Sequence, residues 1–200
     1  EGWSVRRLQE HLRQAALSAA PAPPRPRPGI YQVVAAEGGS GIELDLGFGL
    51  RRPASALGRV GKRTRRLLAE LAAGDVVELV RDGKDRPKLR RMWGQVTARL
   101  YTYPARLLRV ETSGVVTASL RLGFDLRIEQ RLGLRGPAGT LSADHLQSRL
   151  AAAPEVVVAK THRLDHGAAY EADLYALPGE GDVAAISERG EYLNEAWGGP

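Results

Sequence analysis

The 200-residue chain has no cysteine, which excludes a disulfide framework and any thiolate metal site. No apolar run approaches the roughly 20 residues that a bilayer-spanning helix needs, so no membrane anchor is expected. No signal-peptide pattern is present either; the chain begins at Glu1 without a Met, so an upstream segment stays open. Aromatic residues make up only 6% of the chain, few for a protein that stacks on bases. The Gly-x-Ser-x-Gly elbow of serine hydrolases is absent. Gly38-Gly39-Ser40-Gly41 lacks the Lys-Ser/Thr of a phosphate loop and reads as a hairpin turn. His162-Arg163-Leu164-Asp165-His166 sets two histidines and an aspartate close together, but zinc needs a third or fourth ligand and only His11 and His145 remain. That segment reads as a hairpin turn, and no metal or cofactor is expected.

What the chain does have is charge, unevenly spread. The net charge is +6, yet residues 47–109 carry +11 and residues 140–200 carry −6. A basic block beside an acidic end suggests nucleic-acid contact or pairing between oppositely charged halves of neighbouring chains. The apolar fraction, 43%, suffices for a globular core. Residues 1–20 read as a helix capped by Ser4, with Leu8, Leu12, Ala15, Ala16 and Ala19 on one face. Residues 21–29 hold five prolines in nine positions, the composition of an extended, semi-rigid spacer. A helix on a stiff arm is expected to dock, either on its own body or on a partner.

From Ile30 a repeat appears. Asp45-Leu46-Gly47-Phe48-Gly49-Leu50 recurs as Arg121-Leu122-Gly123-Phe124-Asp125-Leu126, and Leu71-Ala72-Ala73-Gly74-Asp75-Val76-Val77 recurs, with one insertion, at residues 150–157. Strands are expected at 30–35, 42–46, 76–80 and 91–98, then at 103–110, 115–122, 126–134, 156–160 and 170–177. Helices are expected at about Arg63–Ala73, after Ser142 with Leu146 and Leu150 inward, and after Asp182 with Val183 and Ile186 inward. Three strands, a helix and two strands form the pattern of an OB-type five-stranded barrel. The fold class is therefore β-rich α+β: a helix (1–20), a Pro-rich linker (21–29), a truncated barrel (30–99), a second barrel (100–192) and a tail (193–200). In that tail Trp197 lies near a free end.

Over 101–191, and more weakly over 30–98, these motifs resemble the staphylococcal (micrococcal) nuclease-like family, in a version similar to phage-encoded members. The Leu-Gly-Phe strand pair, the helix followed by small residues and Val-Val, and Asp182-Val183-Ala184-Ala185-Ile186-Ser187-Glu188-Arg189-Gly190 carry the resemblance. It implies a Ca²⁺ site built from paired aspartates, two arginines and a general base. Where the aspartates belong, the chain has Thr112 and Gly114; Glu111 is one position off, which in a strand points it to the other face. Arg131 matches the first arginine, but the loop after it carries no acid, and Ala169 stands where the second arginine is expected. In the first copy Arg91 comes nearest to that second arginine. An inactive nuclease scaffold is therefore expected.

Two basic clusters, Lys62-Arg63-Thr64-Arg65-Arg66 and Arg86-Pro87-Lys88-Leu89-Arg90-Arg91, can bind nucleic acid or an acidic protein surface. Trp93 either joins that groove or sits in the core of an apolar strand. The expected role is a non-catalytic structural or assembly protein, a phage virion component of head, connector or tail, oligomeric through the arm and the charged halves, and located in the virion or cytoplasm. The rival is a nucleic-acid-binding module; a residual Ca²⁺-dependent nuclease is the third reading.

Overall fold

The computed structural model describes residues 25–38, 41–84, 86–94, 97–164, 169–177, 179 and 181–198. The expected helix over 1–20 lies outside them, as do Asp165 and His166. No helix among the described residues is long and apolar enough to cross a membrane.

The first half builds β1 (Ile30–Ala35), β2 (Ile42–Gly47), β3 (Leu50–Pro53), α1 (Lys62–Glu70), β4 (Val76–Arg81) and β5 (Pro87–Met92). They form one sheet in the order β3-β2-β1-β4-β5. Tyr31, Val33, Leu44, Leu46, Val77 and Leu89 enter the core from this sheet. Two expectations are corrected here. The strand expected at 91–98 runs from Pro87 to Met92, because the turn before it is tighter than its charges suggest. The Asp82 carboxylate accepts from the backbone N–H of Lys84 (2.9 Å) and Arg86 (3.0 Å) and from the Arg86 guanidinium (2.8 Å). Those Arg86 bonds hold the Asp82 carboxyl down at about 2. The short strand β3, charged and ending in proline, was not expected at all; it is the exposed edge of the sheet.

The second half builds β6 (Thr102–Thr112), β7 (Val115–Gly123), β8 (Leu126–Leu134), α2 (Ala143–Ala151), β9 (Val157–Leu164), β10 (Tyr170–Ala176), α3 (Val183–Arg189), β11 (Glu191–Tyr192) and α4 (Leu193–Gly198). Strand order repeats that of the first half, but here the sheet closes. β10 pairs in parallel with β8 and antiparallel with β9, and β9 pairs with β6. A five-stranded OB-like barrel results, with Val116, Ala118, Leu120, Leu122 and Leu132 fully buried inside it. Ser142 and Asp182 cap their helices as expected, accepting from His145 N–H and Ala184 N–H. In the first sheet β3 and β5 do not pair with each other, so β5 keeps a free edge.

Both Leu-Gly-Phe motifs lie at hairpin tips, joining β2 to β3 and β7 to β8. Gly47, Phe48 and Gly49 have φ of 81°, 58° and 74°; Gly123, Phe124 and Asp125 have 90°, 54° and 58°. Two bulky phenylalanines in the left-handed region at matching places call for an external constraint. Each half supplies it to the other. The Tyr31 hydroxyl donates to the Leu122 carbonyl at 2.7 Å, and the Tyr103 hydroxyl donates to the Leu46 carbonyl at 2.7 Å. The Tyr31 ring meets Phe124 at 5.9 Å, and Tyr103 meets Phe48 at 5.4 Å. A Cβ on Gly47 collides with the Tyr103 hydroxyl, and one on Gly123 with the Tyr31 hydroxyl. The two sheets therefore clasp each other reciprocally, like the self-complementary patch of a two-fold dimer. Burial pushes the Tyr31 hydroxyl up to about 12 and that of Tyr103 further still.

The expected tail over 193–200 is, through Gly198, a helix docked on β10, with Leu193 and Trp197 buried. Asn194, fully buried, accepts from Leu174 N–H (2.8 Å) and donates to the carbonyls of Ala172 (2.9 Å) and Arg135 (3.0 Å). It adds hydrogen bonds to backbone groups at this end of the barrel.

Candidate nucleic-acid interface

Helix α1 and the free edge of β5 enclose an open groove of about 720 Å³. Arg63, Arg66, Leu67 and Glu70 line it from the helix, and Lys88, Leu89, Arg90, Arg91 and Trp93 from the strand. Of the eight cations expected to act together, five converge here: Arg63, Arg66, Lys88, Arg90 and Arg91. Lys62 and Arg65 are exposed elsewhere on α1, and Arg86 is held in the Asp82 turn. The helix opens on Lys62 and Arg63 with no side-chain cap and no acid in its first turn, an order that opposes the helix dipole.

The five cations differ in how far they are committed. Arg91 is tied down: its guanidinium donates to Asp75 at 2.8 Å and to the Glu70 carbonyl at 2.6 Å, and its enclosed Nε has no partner among the described residues. Arg66 pairs with Glu70 one turn along the helix at 3.0 Å, a solvated contact worth little. Arg90 reaches Glu78 only at 4.0 Å. Arg63 and Lys88 make no ion pair among the described residues. Trp93 is not core: it is 76% exposed, the most exposed large apolar side chain described, and the Arg91 guanidinium lies 5.3 Å from its ring. The apolar strand around Trp93 hid this, since the strand ends at Met92 and Gly94 (φ 86°) turns the chain away. Together these residues offer exposed cations, an arginine held by two hydrogen bonds and one open aromatic face beside an unpaired strand edge.

A second polar cluster holds the barrel together. Asp173, 3% exposed, accepts from His162 Nε2 at 2.7 Å, from the Tyr192 hydroxyl at 2.8 Å and from Arg135 at 3.3 Å. Burial pushes its carboxyl up, but the bonds from His162 and Tyr192 and the charges of His162 and Arg135 outweigh this and hold it below the ordinary aspartate range. A carboxyl depressed in the folded state stabilises the fold above the unfolded pKa near ~4, and that contribution is lost as pH falls through the folded value. Asp173→Asn should therefore be destabilised most above about pH 4 and converge with the wild type only as pH falls through the lower folded value, read from denaturant midpoints against pH. Glu111, the carboxylate nearest the expected Ca²⁺ position, accepts from Arg109 at 2.7 Å and from Thr117 at 2.6 Å. A Cβ on Gly114, where the second aspartate belongs, runs into the backbone of Gly139. The arginines of the resemblance also part company. Arg131 is exposed on β8 and Arg91 lines the groove, while the Ala169 backbone and side chain are buried.

No protein-family model and no curated protein matches the chain. Among solved structures, it is similar to a multidomain protein with nucleic acid binding domains from Streptococcus pneumoniae TIGR4, at 15% identity over 72% of this chain and 49% of that one, with a TM-score of 0.20. The chain spans about half the length of that protein, and a likeness this distant carries no argument.

Proposed function

We propose that the chain is a non-catalytic module of two tandem OB-type units that binds single-stranded nucleic acid in the groove between α1 and β5. The observation that carries this reading is the exposed Trp93 beside a basic groove in which Arg63 and Lys88 make no ion pair among the described residues. An extended polyanion supplies what each group lacks: phosphates for Arg63, Lys88 and Arg90, and a base to cover the indole. The shared strand order and the reciprocal tyrosine clasp support the duplicated-unit part of the proposal. The absence of nuclease chemistry is supported at Gly114, where the backbone of Gly139 leaves no room for the family's carboxylate. No comparable observation favours the virion-component reading, and the described end of the arm lies on the chain's own body, with Pro26 buried.

Trp93 makes the test direct. Stacking a base on an aromatic side chain contributes about 1–3 kcal/mol. Trp93→Ala should weaken binding of an oligo(dT) by roughly 5- to 150-fold, measured by fluorescence anisotropy, without changing the melting temperature. Unchanged affinity in Trp93→Ala would remove the stacking site. An acidic extended peptide added to the β5 edge is the rival occupant, and tighter binding of poly-Glu than of oligo(dT) would favour it.

A further inference from the structure

Glu78 stands on β4 directly opposite Arg90 on β5, with its side chain only 6% exposed. Two arginines approach it from opposite sides. Arg27, from the end of the Pro-rich arm, binds its Oε1 at 2.5 Å, while Arg90 stays 4.0 Å from its Oε2. The arm is fixed there at two further points: Pro26 is buried, and the Arg25 guanidinium donates to the Glu188 carbonyl on α3. The arm lines a cleft whose other charged walls are Arg81, Arg99, Asp182 and Glu188. A carboxylate this enclosed needs a cation. Arg27 supplies it, and Arg90 keeps its guanidinium for the groove it also lines.

We propose that Arg27 is a positioning residue for the groove: by neutralising Glu78 from the arm side, it frees Arg90 to contact the phosphate of a bound single strand. This inference rests on the groove being the binding site. Without Arg27, Glu78 draws Arg90 in as its replacement partner, and the groove loses one phosphate contact. The docked arm thereby raises affinity at a site it does not itself touch.

Oligo(dT) binding by the full chain tests this with a set of single and double variants. Arg27→Ala should weaken binding about three- to fivefold, the size of one exposed ion-pair contact. The slope of log affinity against log salt should become shallower by about 0.7, the loss of one phosphate. Arg127→Ala removes an equal charge from the second half, clear of the arm, Glu78 and the groove lining, and should leave both affinity and slope unchanged. Adding Arg90→Ala to Arg27→Ala should cost little more, because Arg90 is already withdrawn, whereas Arg90→Ala alone should cost as much as Arg27→Ala. Glu78→Gln in the Arg27→Ala background should restore the slope. Fully additive losses at Arg27 and Arg90, or equal effects of Arg127→Ala and Arg27→Ala, would overturn the coupling while leaving the groove in place. Failure of the unsubstituted chain to bind at all would instead remove the groove reading on which the coupling depends.

Discussion

Gly47→Ala and Gly123→Ala should each cost about 3 kcal/mol, and the two losses should be nearly equal. An L-residue in the left-handed region costs roughly 1–2 kcal/mol. The added Cβ also meets the partner tyrosine's hydroxyl. Tyr31 and Tyr103 are each about 95% buried and cannot swing away freely. Displacing either hydroxyl leaves the buried Leu122 or Leu46 carbonyl without its donor, which costs a further ~1–3 kcal/mol. Against a total stability of about 5–15 kcal/mol this is a large fraction, and it corresponds to a fall in melting temperature of roughly 6–12 °C. Gly74 supplies the control: it too has positive φ (96°), but a Cβ there meets nothing within 4 Å. Gly74→Ala should lose only the backbone part, roughly 1–2 kcal/mol. If all three substitutions cost the same, the clasp contributes nothing beyond backbone conformation.

Reversing Arg63, Lys88 and Arg90 together to Glu should reduce affinity for single-stranded DNA at least ~100-fold, since three attractive contacts become repulsive. Reversing Arg59, Lys62 and Arg65 changes the net charge equally but alters none of the groove lining. That variant should lose only a fewfold through the weakened long-range field, an effect that vanishes with added salt. Equal losses in the two triple variants would mean that binding follows net charge and not the groove.

These two predictions fall on features that differ in how much of them could be read from the sequence. The order of strands and helices was legible because β-branched runs, the Ser142 and Asp182 caps and the small-residue steps are local signals. The Leu-Gly-Phe repeat was legible as a pattern, but its meaning was not. It reads as the junction of a strand pair, which it is; what the sequence does not show is that each hairpin tip receives a tyrosine from the other half, 91 and 57 residues away in sequence. The β3 edge escaped notice because Leu50-Arg51-Arg52-Pro53 is short, charged and solvent-facing, with no alternation to detect. Asn194 and Trp197 looked like a tail because their burial depends on carbonyls and apolar surface at the far end of the barrel. In the groove, both basic clusters were visible at once. Which cations converge is decided by the packing of α1 against β5 and by two aspartates: Asp82 takes Arg86, and Asp75 fixes Arg91. Trp93 could have been placed outside the core from Gly94 immediately after it, a residue that ends strands where φ turns positive.

The salt dependence of oligo(dT) binding tests the groove most directly. Arg63, Lys88, Arg90 and the loosely paired Arg66 can neutralise three or four phosphates, for a slope of log affinity against log salt of about −2 to −3. Between 50 and 200 mM salt, affinity should fall roughly 20- to 50-fold. A slope near zero, or no binding at 50 mM salt, would contradict a phosphate-reading groove.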